Sequence, residues 1–298
     1  LGTGLRSSRV LREASSVLTI HNIGYQGVFA GTLAPELGIA APAGAVGPGA
    51  DLNFLKDGIV AADALTTVSP THAQEILTAE YGKGLDPLLR QRRNRLVGIL
   101  NGVDYAAWNP ATDPTLPAHF DARDLTGRQT CRDALLARAG LGTSSPALLL
   151  GMVTRLAEQK GLELVVDALP PLLRRREVQV VVLGQGEARY AAQLREMAAA
   201  FPGQFHYFDA QDEALARLVF AGSDAFLVPS LYEPCGLTQM YALRYGAVPV
   251  VRETGGLKDT VRHFDNHTRL GTGSVFKHAN GDGLAWAIGE VLAWHRQP

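Results

Sequence analysis

Cysteine is scarce in this chain of 298 residues, which has only Cys131 and Cys235. Two cysteines make neither a disulfide framework nor a zinc pattern, and they fit a reducing compartment, so a cytoplasmic location is expected. No apolar run approaches the ~20 residues that a membrane-spanning helix needs. Charge of either sign is not in excess: 28 Lys and Arg stand against 29 Asp and Glu, a net charge of −1. Neither a nucleic-acid partner nor an anionic membrane surface is therefore expected. Several chemical signatures are also missing. No GxGxxG with a following acid is present, which speaks against a nicotinamide enzyme, and no GxxxxGK(S/T), which excludes a P-loop ATPase. No GxSxG nucleophile elbow occurs. No cluster of Asp and His has metal-ligand spacing, so no metal or other cofactor is expected. The opening Leu-Gly-Thr-Gly-Leu-Arg is neither a signal peptide nor a start methionine, and the chain is expected to be an internal piece of something longer.

What is present suits two α/β domains. Hydrophobic residues make up 46% of the chain and charged residues 19%, enough apolar matter for sizeable cores. The length fits two domains, expected at residues 1–144 and 145–298, joined by a linker from Gly140 to Pro146. Residues 1–15 are polar and weakly patterned. Strands are expected at Val17–Ile20, Ala64–Val68 and Leu96–Leu100, with helices at Asn53–Ala64, from Ser69-Pro70 to about Tyr81, and at Thr130–Ala139. Residues 34–51, rich in Ala, Gly and Pro, read as a loop or flap. Gln91-Arg-Arg-Asn-Arg95 reads as a solvated basic face.

From Ala147 onward strand and helix patterns alternate strictly. The strands are Ala147–Val153, Val178–Leu183, Gln204–Phe208, Ala225–Val228, Val248–Val251 and Gly273–Phe276. The helices are Gly161–Arg175, Glu187–Phe201, Asp212–Ala221, Leu237–Tyr245, Gly256–Phe264 and Asp282–His295. Alternation at this spacing builds a doubly wound parallel sheet through right-handed crossovers. Runs such as Val180-Val-Val-Leu183 fit strands covered on both faces.

Three stretches carry candidate chemistry. Glu233-Pro-Cys-Gly-Leu-Thr-Gln follows an apolar strand and leads into a helix. An acid, a turn and a helix start in succession suit a phosphorylated ligand, since the helix start offers free N–H groups and a positive dipole end. A plain strand–turn–helix joint with a solvated Glu is equally compatible with the local pattern. Arg155-Leu-Ala-Glu-Gln-Lys160-Gly161 follows the first strand of the second domain. There two cations beside a helix start make a diphosphate clamp; solvated loop charges are the alternative. His21-Asn22-Ile-Gly-Tyr25-Gln26-Gly27 lies at the C-terminal end of a strand, the sheet edge where ligands bind. Leu183-Gly-Gln-Gly-Glu187 is a weak signal, because many strand–helix turns carry such glycines.

Taken together, EPCGLTQ with the later TGGL, TIHNIGYQG, GMVTRLAEQKG and ILNGVD resemble the bacterial glycogen synthases and plant starch synthases. The resemblance runs from about Val17 to the C-terminus. It implies the GT-B architecture of two Rossmann-like domains, with the first incomplete here. It also implies transfer of glucose from ADP-glucose to the nonreducing end of an α-1,4-glucan, with retention of configuration. By that resemblance Glu233, His21, Arg155 and Lys160 are the catalytic candidates. Asn101, Gln159, Cys235, Gly236, Leu237, Thr238 and Gln211 would serve donor binding, and Asn22, Tyr25 and Gln26 the sugar-side loop. Position 241, eight past Glu233, is Tyr where many related retaining transferases carry a second Glu; the synthases share this departure. Gln211 stands where the family usually has an aromatic to stack on adenine, which leaves ADP against UDP open. The Lys-Thr-Gly-Gly-Leu loop of the family is absent, and the 298 residues alone are expected to bind ADP weakly and not to transfer glucose. Two other readings stay open: a different retaining transferase, such as a sucrose or trehalose-phosphate synthase, and a noncatalytic nucleotide- or glucan-binding remnant.

Overall fold

The structure, a computed structural model, describes residues 9, 13–38, 51–143 and 146–296. Most of the polar opening, residues 39–50 of the expected flap and residues 144–145 of the expected linker lie outside the described residues. The chain divides into two compact units, Leu1–Leu100 and Asn101–Pro298.

The first unit holds a three-stranded parallel sheet and a two-stranded antiparallel ribbon. Its elements are β1 (Val17–Ile20), β2 (Val28–Ala30), β3 (Asp51–Asn53), α1 (Phe54–Ala61), β4 (Ala64–Thr67), α2 (Pro70–Glu75), α3 (Asp86–Gln91) and β5 (Leu96–Gly98). The sheet order is β1-β4-β5, and β2 pairs with β3. Two helix starts follow from sequence. The Asn53 side chain accepts the Lys56 N–H at 2.8 Å, and Ser69 caps α2 ahead of Pro70. α2 stops at Glu75, earlier than the expected Tyr81, because the Thr78 hydroxyl takes the Glu75 carbonyl and the chain turns. The ribbon and α3 were not expected. The basic run is not merely solvated: Arg92 donates to the carbonyls of Val60 and Ala62, and Arg95 to that of Asp63. These arginines satisfy the orphan carbonyls at the end of α1 and just beyond it.

The second unit is the doubly wound sheet that the alternation predicts. It begins with α4 (Thr126–Ala139) and continues β6 (Leu148–Val153), α5 (Leu162–Arg174), β7 (Val178–Leu183), α6 (Ala188–Ala200), β8 (Phe205–Phe208), α7 (Glu213–Gly222), β9 (Ala225–Val228), α8 (Thr238–Arg244), β10 (Val248–Arg252), α9 (Gly255–Thr260), β11 (Ser274–Phe276) and α10 (Gly281–His295). All six strands run parallel, in the order β11-β10-β9-β6-β7-β8. Period-two alternation sends Leu148, Leu150 and Met152 into one core with α5, α6 and α10, and Leu149 into a second with α4 and α7. Each such buried Leu contributes about 1.5–3 kcal/mol, so both faces are strongly held.

Residues 101–141 pack on this second unit rather than on the first, so the division falls at Leu100/Asn101 and not at the expected 144/145. The physical reason is a buried cluster. Asp113 accepts from Tyr245 Oη at 2.6 Å and pairs with Arg217 at 3.0 Å. Trp108 stacks on Tyr241 with ring centroids 3.8 Å apart, while the Arg217 guanidinium covers Trp108 at 4.2 Å. α4 is also four residues longer at its start than the expected Thr130–Ala139, and it packs on α7.

A candidate nucleotide-sugar cleft

The strand order places the site. β6 and β9 are neighbours although three crossovers separate them in sequence, so the sheet reverses its winding between them. At such a switch point the loops leaving the two strands part to opposite sides and open a crevice at the carboxyl edge. The loop after β6 carries Arg155 and Lys160, and the loop after β9 carries Glu233. Gln159 ties the two loops together: Leu231 N donates to Gln159 O at 2.8 Å, and the Gln159 side-chain Nε2 donates to Tyr232 O at 3.1 Å. Between them Lys160 Nζ stands 2.6 Å from Glu233 Oε2. Gly161, at φ 67°, turns the chain from the Glu158–Lys160 turn into α5, whose start has no side-chain cap. A Cβ there would lie 2.2 Å from Pro229 O, so only glycine admits this closeness.

A cleft of about 560 Å³ opens beside this junction. Arg155, Lys160, Gln211 and Thr238 all line it, joined by Thr154, Gln185 and Glu213. Four residues expected from sequence, drawn from three separate stretches of the chain, therefore share one cavity. Glu233 is only 7% exposed and sits behind Lys160; its carboxylate also accepts from Ser230 Oγ at 2.9 Å. Its main chain is fixed as well, since Gly256 N donates to Glu233 O at 3.0 Å.

The remaining expected residues have other surroundings. Gln159 is the loop tie just described. Cys235 is buried, and burial pushes its thiol up although a backbone hydrogen bond from Asn101 opposes this. Asn101 lines a second cavity with Tyr105 and Arg244 instead. Gly236 and Leu237 lead into α8 outside the cleft lining, with the Gly236 carbonyl held by Gln239 Nε2 at 3.0 Å. In the first unit His21 and Tyr25 are exposed. Gln26 is used internally, donating to Lys83 O at 2.9 Å and accepting from Asn53 at 2.7 Å. The Asn22 amide oxygen accepts the Gly24 N–H at 2.9 Å, closing a turn.

Two sequence features gain a physical role. The glycines of Gly184-Gln-Gly186 allow loop packing, because a Cβ on Gly184 would fall 1.7 Å from Thr154 O and one on Gly186 2.1 Å from Leu156 O. Position 241 is a packing position, with Tyr241 held against Trp108. Sequence reasoning missed Ser230, Arg252 and Gln239. Arg252 is buried and donates from Nε to Ser230 O at 3.1 Å and from Nη2 to Leu231 O. Only the polar character of these positions inside apolar surroundings could have signalled them.

The comparisons agree with this architecture. The family model for the starch synthase catalytic domain matches residues 3–91, and that for glycosyl transferases group 1 matches residues 137–295. The chain is 50% identical over 285 residues to the glycogen synthase of Anaeromyxobacter dehalogenans strain 2CP-1, covering 95% of this chain and 59% of the relative. It is 46% identical over 292 residues to the glycogen synthase of Myxococcus xanthus, covering 97% and 60%. The chain thus spans about three-fifths of the length of the curated relatives it matches. The catalytic domain of starch synthase IV from Arabidopsis thaliana, solved bound to ADP and acarbose, superposes with a TM-score of 0.87 at 35% identity, over 99% of this chain and 63% of that one. The expected GT-B class holds. With a family model across more than half its length and synthases near one-half identity along nearly all of it, this chain belongs to the group 1 glycosyltransferases, in the branch of the glycogen and starch synthases.

Proposed function

We propose that the protein carrying this chain transfers glucose from ADP-glucose to the nonreducing end of an α-1,4-glucan, with retention of configuration. The observation that carries the reading is the single cleft lined by Arg155, Lys160, Gln211 and Thr238, with the Glu233 carboxylate against Lys160. Breaking a glucosyl–diphosphate bond leaves growing negative charge on the departing oxygen. Fixed cations aimed at that charge act most strongly in a site that excludes water. Arg155 and Lys160 supply them, and the uncapped start of α5 adds the positive end of its dipole. Glu233 would face the sugar, either holding its hydroxyls or steadying positive charge at the anomeric carbon. His21, Asn22, Tyr25 and Gln26 stay candidates for the sugar on the resemblance alone. Asn101, Cys235, Gly236 and Leu237 would support the donor from around the cleft. The proposal uses no metal, because the diphosphate charge is met by side chains. The ADP held by the Arabidopsis synthase supports adenine as the base.

Two measurements test this. Calorimetry with ADP and with UDP should give the tighter binding for ADP. ADP release should depend on an added glycogen primer, and should fall by orders of magnitude in Glu233→Gln while ADP affinity persists. Equal binding of both nucleotides, or primer-independent release, would overturn the assignment.

A further inference from the structure

Two donors meet one oxygen of Glu233. Lys160 Nζ reaches Oε2 at 2.6 Å and Ser230 Oγ reaches it at 2.9 Å. They differ in what a ligand would do to them. Lys160 is a cation on the cleft wall, so an incoming diphosphate competes with Glu233 for it. Ser230 is neutral, 1% exposed and outside the cleft lining, so an anion has no hold on it. A carboxylate can only accept, so the Ser230 hydroxyl is committed to Glu233 as donor.

Ser230 is itself fixed from the next strand. Arg252 closes β10, is 8% exposed, and donates from Nε to Ser230 O at 3.1 Å and from Nη2 to Leu231 O. A buried guanidinium is a rigid fork, and here it grips the two carbonyls just ahead of the acid. The turn that presents Glu233 is therefore braced by β10 as well as by the Gln159 tie.

We propose that Ser230, set in place by Arg252, is a positioning residue for Glu233: it keeps the carboxylate aimed while Lys160 turns to the diphosphate. The inference rests on the glucosyltransferase reading of the cleft and adds to it a group that acts through Glu233, not on substrate.

The test is a double-mutant cycle in the protein that carries this chain, with Ser230→Ala, Glu233→Ala and the pair. ADP binding is read by calorimetry and turnover by primer-dependent ADP release. Ser230→Ala should lower kcat by ~10²-fold, the cost of a misplaced reacting group. The Kd for ADP and the KM for ADP-glucose should stay within about twofold, since uniform binding is untouched. In the Glu233→Ala background the same change should cost nothing more. Ser230→Thr, which keeps the hydroxyl, should recover turnover. An equal loss in both backgrounds would make Ser230 structural and overturn the inference. So would a folded Ser230→Ala protein with turnover within about twofold of the parent. Failure of the unmutated protein to bind ADP would instead overturn the reading of the cleft, and the inference with it.

Discussion

Lys160 and Glu233 form an ion pair at 2.6 Å, with 21% and 9% of their side chains exposed. They are 73 residues apart in sequence and meet only because β6 and β9 are neighbours in the sheet. The pair holds a cleft-lining cation against a buried acid. Substitution at Lys160 should therefore do two things. It leaves a buried acceptor short of a partner, costing ~1–3 kcal/mol of stability. It also removes one preorganised donor, cutting kcat by roughly 10²–10³. Arg155→Ala should cause a similar loss of turnover with little loss of stability, because Arg155 is exposed. Thermal melts beside steady-state kinetics separate the two variants. A raised KM at unchanged kcat in both would mean that they bind ground state and transition state alike.

Gln211 sits on the cleft wall beside Ala210 and Asp212. An amide offers a base no extended π face. Gln211→Tyr should tighten ADP binding by about 1 kcal/mol, on the scale of aromatic stacking. Calorimetry with ADP and UDP side by side checks it, and the idea fails if ADP binds no tighter.

Asp113 gives a pH signature. Burial acts to raise its carboxyl, but hydrogen bonds from Tyr245, Thr115 and Arg217 outweigh this and hold it below the ordinary carboxylate range. A depressed folded-state value contributes stability above the unfolded value, and that stability is lost as pH falls through the folded one. Thermal stability of the second unit should accordingly decline below about pH 4, where an unfolded Asp takes up its proton. Asp113→Asn should cost ~1.5–3 kcal/mol at pH 7, as loss of hydrogen bonds to a charged group does, and should flatten the acid decline. An unchanged acid limb in that variant would assign the decline to other carboxylates.

Gly161→Ala tests the junction between clamp and helix. Its φ of 67° and the 2.2 Å approach to Pro229 O both resist a side chain. The variant should lose ~1–3 kcal/mol, the cost of a strained backbone, and should bind ADP more weakly because Lys160 is displaced. Retained affinity with lowered stability would show that the clamp tolerates movement of α5.

The parallel strands of the second unit were legible because runs such as Val180-Val-Val are apolar on both faces and strict alternation builds a doubly wound sheet, but the strand order was not. The β2–β3 ribbon was not, because three residues of Val-Phe-Ala against three of Asp-Leu-Asn carry no period. α3 hid between glycines and arginines, although Pro87 in its first turn was a usable sign. At the site, Arg155, Lys160 and Glu233 stood at loop positions that sequence can name. Ser230 and Arg252 did not, because their roles exist only once β9 and β10 lie side by side. The division at Leu100 escaped for the same reason. Gly140 to Pro146 has the composition of a linker, while the grip of Tyr245 and Arg217 on Asp113 spans more than a hundred residues.

That grip has a consequence for recombination. The Trp108–Tyr241 stack and the Asp113–Tyr245 bond mean that the second unit begins at Asn101, well ahead of the alternating pattern that opens at Ala147. A crossover between homologous genes at Leu100/Asn101 would hand on every partner of Tyr245 intact. One at the linker-like glycines would set Tyr241 and Tyr245 against partners drawn from the other parent. The grammar by which such genes exchange modules is thus written in a buried aspartate, not in the loop that looks made for cutting.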